Sequence, residues 1–223
     1  MIPPRFEYFA PSSVDEAVQL LDRFGGEAKV LAGGQSLLPV MKLRLAEPKA
    51  LIDINRIPDL SYIREDAKSL RIGAITRTIP AHAFYQDTFV TALVSNEILT
   101  EIEIPKARSG QGNAYMKLEK RVGDFPIVGV AANLVLNAKG TIDSAGLALT
   151  AVGPTALKAV EAERSLVGKA PETAAYEKAA ELAQGIASPV GDLRGPADYK
   201  LAMVRVLALR ALHQAASRAR GGA

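Results

Sequence analysis

The chain has 223 residues, of which 48% are hydrophobic and 23% are charged, and its formal net charge at pH 7 is +3. This composition is typical of a globular protein with a sizeable core. The small positive charge is not gathered into a basic stripe, so nucleic-acid binding is not expected. No apolar run approaches the roughly 20 residues that span a bilayer, and no secretory leader is visible, so we expect a cytoplasmic protein without membrane insertion.

Residues that carry redox and metal chemistry are scarce in this chain. It has no Cys and only two His, His82 and His213, which excludes disulfides, iron–sulfur ligation and a Cys nucleophile within it. Neither His has a carboxylate cluster beside it, and no Gly-x-Ser-x-Gly elbow is present, so neither a metal site nor a Ser-His-Asp hydrolase is predicted. Redox chemistry would therefore depend on a bound organic cofactor.

The first predicted elements are a helix, a strand and a glycine turn. Ser13 and Glu16 match a capping box and Gly25-Gly26 supplies the stop, so a helix is predicted over 13–24. The apolar run 30–32 predicts a buried strand that enters Gly33-Gly34, where the backbone can take positive φ. Such a turn before a helix can bind a phosphate through its backbone N–H groups. A Gly-Gly after a strand is, however, more often only a tight turn with a structural role.

Short elements are predicted up to residue 113. Asp53, near the end of one strand, is interpreted as a turn former and stays outside the candidate site. The predicted elements are a helix at 39–45, strands at 50–54 and 99–105, a hairpin pairing 62–63 with 70–74, an irregular segment at 84–89 and a flexible boundary loop at 108–113.

The second half of the chain predicts an antiparallel sheet backed by helices. A polar strand with three cations comes first. Its cations could serve a functional role, or they could simply protect a solvated edge strand, and the sequence alone favours the two interpretations equally. The predicted elements are strands at 115–121, 128–136 and 145–152, with a turn at 137–140, and helices at 159–166, 172–184 and 197–218.

Seven segments in consistent order carry a family resemblance that runs from about residue 5 to about residue 215. They are Phe6–Pro11, Ser13–Ala17, Lys29–Leu37, Leu51–Ile54, Glu97–Pro105, Lys117–Phe125 and Asp192–Gly195. With them the chain resembles the FAD-binding medium subunit of the carbon monoxide dehydrogenase and xanthine dehydrogenase (molybdenum hydroxylase) family.

The resemblance implies an α+β fold with two lobes. Residues 1–107 would form a small α/β FAD-binding lobe, internally truncated near residue 77, and residues 108–223 a three-stranded antiparallel sheet backed by helices. It also implies FAD as the cofactor, with no catalytic residue and no metal ligand in this chain. The implied cofactor contacts are Ala32, Gly33, Gly34, Gln35, Ser36, Leu37, Leu99, Lys117, Asp124 and Phe125.

The function implied by the resemblance is electron transfer within a complex. A large molybdopterin subunit would oxidise the substrate, a small subunit would carry iron–sulfur clusters, and FAD on this chain would pass the electrons to an acceptor. The absence of Cys fits this division, because the chain cannot ligate clusters with thiolates.

One departure from the family pattern gives a second hypothesis. The chain passes from Thr76-Arg77 directly to Thr78-Ile79, where the family has a middle segment with a second glycine-rich clamp for the diphosphate. Losing charge-assisted donors worth about 1.5–3 kcal/mol each would weaken FAD binding by several powers of ten. The alternative is therefore a flavin-deficient structural or assembly subunit. An unrelated nucleotide-binding protein ranks third, because neither Gly-x-Gly-x-x-Gly nor a P-loop pattern occurs.

Overall fold

The chain divides into two compact units. A computed structural model describes residues 2–35, 37–60, 62–73, 78–88 and 90–222. The first unit comprises Met1–Ile79 and Ala92–Lys106, and the second comprises Pro80–Thr91 and Ala107–Ala223. The predicted truncation near residue 77 falls at 74–77, outside the described residues.

Twelve strands and six α-helices are assigned within the described residues. In chain order they are β1 (Glu7–Phe9), α1 (Val14–Phe24), β2 (Ala28–Leu31), α2 (Leu37–Lys42), β3 (Ala50–Asp53), β4 (Ile63–Glu65), β5 (Ser69–Gly73), α3 (Ala81–Phe84), β6 (Tyr85–Asp87), β7 (Val90–Thr91), β8 (Glu101–Pro105), β9 (Gln111–Leu118), β10 (Val128–Leu136), β11 (Ile142–Thr150), β12 (Leu157–Lys158), α4 (Val160–Leu166), α5 (Thr173–Gly185) and α6 (Ala197–Ala219).

A small parallel sheet organises the first unit. Its order is β1-β3-β2, so β3 lies in the centre and pairs in parallel with both neighbours. Helix α1 begins as predicted, since the Ser13 hydroxyl accepts the Glu16 N–H at 3.2 Å. The Glu16 carboxylate accepts the N–H of Ser12 rather than of Ser13, so the capping box is shifted by one residue. The helix ends at Gly25, whose φ is 54°.

The core of this unit lies between α1 and the parallel sheet. Ala17 and Leu21 of α1 are buried, as the apolar spacing predicts, and the Phe9 and Phe24 rings lie 5.3 Å apart. Strand β3 is buried along its first three residues, which is typical of a central parallel strand. The buried members of this cluster are Ala17, Leu21, Ala28, Ala50, Ile52, Ile54 and Ile57.

A second sheet of the first unit has the order β4-β5-β8 and is antiparallel. The predicted hairpin is confirmed as β4 and β5, and Asp66 organises its turn by accepting the N–H groups of Lys68 at 2.7 Å and Ser69 at 2.8 Å. Strand β8 is more exposed than the predicted half-buried strand, since Ile102 is 54% exposed.

An antiparallel sheet covered by helices forms the second unit. Its order is β12-β11-β10-β9, with α6 packed on β9 and β10, α5 on α6, and α4 on β11 and α5. The three predicted strands are confirmed, but Pro154 does not end the sheet, because the two-residue β12 pairs with β11 as a fourth strand. The predicted α+β architecture therefore holds, with a parallel sheet in one unit and a helix-backed antiparallel sheet in the other.

Two segments that the sequence predicts as a loop or as irregular contain β-strand residues. Residues predicted as a flexible loop at 108–113 include the start of β9, and the Gly112 backbone lies directly under α6. The segment predicted as irregular at 84–89 contains β6, which pairs with β7, while Phe89 lies outside the described residues. Among the helices described here, none combines the length and apolar character needed to cross a membrane.

Candidate functional site

The glycine turn after β2 has the geometry that its sequence predicts. Gly33 and Gly34 have φ values of 75° and 76°, in the left-handed region that favours glycine. A Cβ added at Gly34 would lie 3.0 Å from Cδ1 of Leu38 and 3.1 Å from Cδ1 of Leu31, so packing also disfavours a side chain there. A Cβ added at Gly33 would meet nothing within 4 Å, so this backbone faces open space.

A polar cluster at the end of β3 fixes the turn. The Gly33 N–H donates to Oδ1 of Asn55 at 3.2 Å. Asn55 is itself held by Asp53, whose Oδ1 accepts the backbone N–H of Asn55 at 2.9 Å and its side-chain N–H at 2.7 Å. The other carboxylate oxygen of Asp53 accepts the hydroxyl of Tyr8 on β1. Strands β1 and β3 of the parallel sheet thus both contribute to the support of Gly33, which follows β2.

This cluster keeps Asp53 ionised. The hydrogen bond from Tyr8, and after it the bond from the Asn55 backbone, lower the pKa of Asp53 below its ordinary value of 3.8. The same bond raises the pKa of the Tyr8 hydroxyl, because the proton is shared with a carboxylate. Asp53 is therefore an acceptor across the neutral range, which is what holding Asn55 requires.

Sequence reasoning left Asp53 outside the site and did not consider Asn55 or Tyr8. A signal was present: β2 and β3 are parallel, and the carboxyl ends of parallel neighbours meet at one edge of a sheet, where ligands bind in α/β folds. The residues after β3 therefore had to lie beside the turn after β2.

The other predicted cofactor contacts in the first unit are held by fewer interactions than Gly33 and Gly34. Ala32 is exposed, Gln35 donates from Nε2 to the Gly33 carbonyl at 3.4 Å, and Leu37 begins α2. Ser36 lies outside the described residues. Leu99 precedes β8 and is 49% exposed.

In the second unit, the predicted cation is paired with a carboxylate. Lys117 on β9 places Nζ 2.5 Å from Oε2 of Glu119, and both side chains are about three-quarters buried. Glu119 therefore compensates much of the charge that Lys117 would offer to a ligand. Among the residues that the structure describes, no hydrogen bond or ion pair joins Lys117 to Asp124 or Phe125.

Asp124 and Phe125 are held by a residue that sequence reasoning did not place in the site. Arg194 donates from Nη2 to Oδ1 of Asp124 at 2.8 Å and from Nη1 to the Phe125 carbonyl at 3.0 Å. Its guanidinium carbon lies 5.7 Å from the centroid of the Phe125 ring. The ring itself is 77% exposed, so the segment presents an aromatic face outward from an anchored backbone.

The residues of the glycine turn fit the diphosphate of FAD. Two consecutive positive-φ glycines let the backbone approach a ligand closely, Gly33 has no Cβ to keep a phosphate away, and the space beside it is open. Within the described ranges, the N–H groups of Gly34 and Gln35 donate to no protein acceptor. The structure therefore offers backbone donors of the kind that bind phosphate at strand–turn–helix junctions.

Comparisons with known proteins identify the family of this chain. Residues 4–78 match the family model for the FAD binding domain in molybdopterin dehydrogenase, and residues 113–215 match the model for the CO dehydrogenase flavoprotein C-terminal domain. The carbon monoxide dehydrogenase medium chain of Hydrogenophaga pseudoflava is 38% identical, with 98% of this chain and 99% of the relative covered. That of Afipia carboxidovorans is 33% identical, with 99% and 100% covered.

A solved structure shows the same fold. Carbon monoxide dehydrogenase from Hydrogenophaga pseudoflava, in a form that lacks the Mo-pyranopterin moiety of the molybdenum cofactor, superposes with a TM-score of 0.93 at 39% identity, covering 98% of this chain and 99% of that one.

The first sequence alignment extends over 287 residues, whereas this chain has 223. Several dozen positions of the relative thus have no counterpart here, in accord with the missing middle segment. From these similarities over nearly its whole length, the chain belongs to the FAD-binding medium subunits of the carbon monoxide dehydrogenase family.

Proposed function

We propose that this chain holds FAD in a molybdenum hydroxylase complex of the carbon monoxide dehydrogenase type and carries electrons through it. The observation that supports this best is the positive-φ pair Gly33-Gly34, open on one side and anchored on the other by Asn55. When bound, FAD supplies the electron-accepting and electron-donating chemistry. The chain supplies binding, orientation and electrostatics.

The partners follow from the division of labour in the relatives. A large molybdopterin subunit would oxidise the substrate and a small iron–sulfur subunit would deliver electrons to this chain. The lack of Cys supports the need for a separate cluster-bearing subunit. The cytoplasmic location predicted from the sequence stays a prediction.

The proposed cofactor contacts are divided between the two units. The diphosphate would lie against the backbone of 32–37, with Leu99 as a further contact from the first unit. Lys117, Asp124 and Phe125 of the second unit would lie near the isoalloxazine, where a cation stabilises negative charge and an aromatic ring packs on a flat face. We propose that residues 1–107 form the FAD-binding lobe and that residues 108–223 form the C-terminal domain of the flavoprotein subunit.

The ion pair of Lys117 affects its proposed role. Because Glu119 lies 2.5 Å from Nζ, Lys117 is held in place but much of its field is cancelled. We therefore assign Lys117 an orienting role first, with charge stabilisation depending on how far a ligand draws it from Glu119.

A flavin-deficient structural or assembly subunit is the second candidate function. It is favoured by the several dozen alignment positions that this chain lacks. It is disfavoured by the intact glycine turn and by the anchored Asp124–Phe125 segment, which a purely structural subunit would not need.

A visible absorption spectrum separates the two functions. The purified chain is incubated with excess FAD, desalted and scanned, and the same treatment is applied to a urea-unfolded sample as the control. A flavin band retained only by the folded chain supports the electron-transfer subunit. A folded but colourless protein would contradict the proposal and favour the structural subunit.

A further inference from the structure

The loop before α6 is built around a buried cation. Lys200, in the first turns of α6, has a side chain only 5% exposed. Its Nζ donates to the Val190 carbonyl and to Oδ2 of Asp192, each at 2.8 Å. A buried ammonium without partners is strongly unfavourable, so Lys200 holds both acceptors and thereby fixes the start of this loop.

Asp192, which is held by Lys200, in turn fixes the backbone of Arg194. Asp192 and Gly195 pair through two backbone hydrogen bonds of 3.1 Å, and Oδ1 of Asp192 accepts the Arg194 N–H at 2.8 Å. Each oxygen of the Asp192 carboxylate therefore has a separate partner, one on α6 and one in the loop. The backbone of Arg194 is fixed by this closed turn.

Arg194 then reaches a second loop that is about seventy residues away in sequence. Its two terminal nitrogens contact the Asp124 carboxylate and the Phe125 carbonyl. The planar fork of an Arg presents two separate nitrogens to two acceptors in a fixed geometry, whereas a Lys has only one nitrogen to place between them. The side chain of Arg194 is 31% exposed and that of Asp124 is 29% exposed, so the contact is partly shielded from water.

We propose that Arg194 is a positioning residue that fixes the exposed Phe125 ring, and that Lys200 and Asp192 hold Arg194 in place for this role. Phe125 is 77% exposed, so its ring buries little apolar surface and contributes little to folding. The anchoring is useful if the ring has to meet a flat ligand in one orientation. The positioning role does not depend on the proposed function; only the identification of the flat ligand as the flavin rests on it.

The experiment uses the absence of Trp from the full chain. Phe125→Trp provides one tryptophan at the anchored position, whose anisotropy and acrylamide quenching report its mobility without any cofactor. Arg194→Gln, Arg194→Lys and Asp192→Asn are made on this background. Arg164→Gln is the matched control, because Arg164 is an Arg of the same unit that pairs with Glu161 on the surface.

Arg194→Gln should lower the anisotropy and raise the quenching of the introduced tryptophan, with circular dichroism unchanged. Arg194→Lys should restore part of the order, Asp192→Asn should act in the same direction as Arg194→Gln, and Arg164→Gln should change nothing. If Arg194→Gln prevents folding, the anisotropy and quenching of the Asp192→Asn protein test the proposal instead. A folded Arg194→Gln or Asp192→Asn protein with the parent anisotropy and quenching would overturn the proposal.

Adding FAD tests the proposed function separately. Quenching of the introduced tryptophan by FAD, weaker in Arg194→Gln than in the parent, supports both the positioning role and the placement beside the flavin. If FAD leaves the emission unchanged while the anisotropy still depends on Arg194, the placement beside the flavin is wrong and the positioning role stands.

Discussion

Asn55 accepts the backbone N–H of Gly33 at 3.2 Å, so a residue just beyond the central strand β3 fixes the first glycine of the turn that follows β2. The contact joins two neighbouring parallel strands at their carboxyl ends. Gly33 alone could adopt many conformations, and the amide of Asn55, held in turn by Asp53, selects one of them. Preorganisation of this kind lowers the cost of ordering the turn on binding.

Replacing Asn55 should therefore weaken FAD binding. We expect Asn55→Ala to raise the dissociation constant about fivefold, because one hydrogen bond contributes about 1 kcal/mol. A flavin fluorescence titration measures this. Asn137→Ala is the matched control, since Asn137 organises the β10–β11 turn by accepting the N–H groups of Lys139 and Thr141. Equal loss of FAD affinity in both variants would show that Asn55 acts only through stability.

Alanine substitutions at two positive-φ glycines distinguish the effect of backbone strain on stability from the effect of an added Cβ on FAD binding. Gly33→Ala and Gly140→Ala both place alanine at positive φ, 75° and 77°, where the new Cβ has no neighbour within 4 Å. Each should lower the free energy of unfolding by about 1 kcal/mol, measured by urea denaturation. Only Gly33→Ala should also lose FAD, because its Cβ enters the open space beside the turn. Unchanged FAD binding by Gly33→Ala would argue against a diphosphate there.

The ionised Asp53 should make stability depend on pH. Its pKa is lower in the folded chain than its ordinary value of 3.8, because Tyr8 donates to it. The resulting stabilisation is complete above that ordinary value and is lost as the pH falls through the lower pKa of the folded state. We expect the stability difference between wild type and Asp53→Asn, from urea unfolding, to be larger at neutral pH than at about pH 3.

Asp22→Asn is the control for the loss of one negative charge, since Asp22 is exposed on α1. Its difference from wild type should change less over the same pH range. A difference for Asp53→Asn that does not shrink at acid pH would show that the Tyr8 bond does not stabilise the fold.

Gly112 tests the packing of α6 on β9. A Cβ added there would overlap the backbone of Ala215 and Ala219 in α6, which cannot move aside as a side-chain tip can. We expect Gly112→Ala to lower the free energy of unfolding by about 3 kcal/mol, measured by urea denaturation.

Gly146→Ala on strand β11 of the same sheet is the matched control, because its added Cβ would lie an ordinary 3.6 Å from Cβ of Asn133. This substitution should be close to neutral, since the site has room. Similar losses in the two variants would mean that helix packing is not the reason for glycine at 112.

Much of the fold could be predicted because its signals are local. The Ser13 cap and the Gly25 stop lie within one helix, and the hairpin of β4 and β5 turns on Asp66, three residues from its partner Ser69. The apolar strands β10 and β11 were equally clear, since each is long and continuous. The two-residue β12 was missed because so short an edge strand has no pattern of its own.

The candidate site was predictable only in part. The glycine turn follows from its sequence, since positive φ and close backbone approach both favour glycine. The roles assigned to Leu99, Lys117, Asp124 and Phe125 came from family resemblance and stay predictions. Glu119 beside Lys117, and Arg194 beside Asp124 and Phe125, determine what these three residues can do, and no spacing rule predicted either contact.

By itself the sequence determined the principal helices and strands, the family and the exclusion of cluster ligation by Cys, because caps, turns, apolar periodicity and the absence of Cys are properties of short segments or of composition. The tertiary structure decided which residues support the site. Asn55 meets Gly33 because parallel strands end at one edge, and Arg194 meets Asp124 because a buried Lys200 fixes its loop. Gly112 is required because a helix crosses it. Such contacts join distant parts of the chain, and folding alone brings them within hydrogen-bond range.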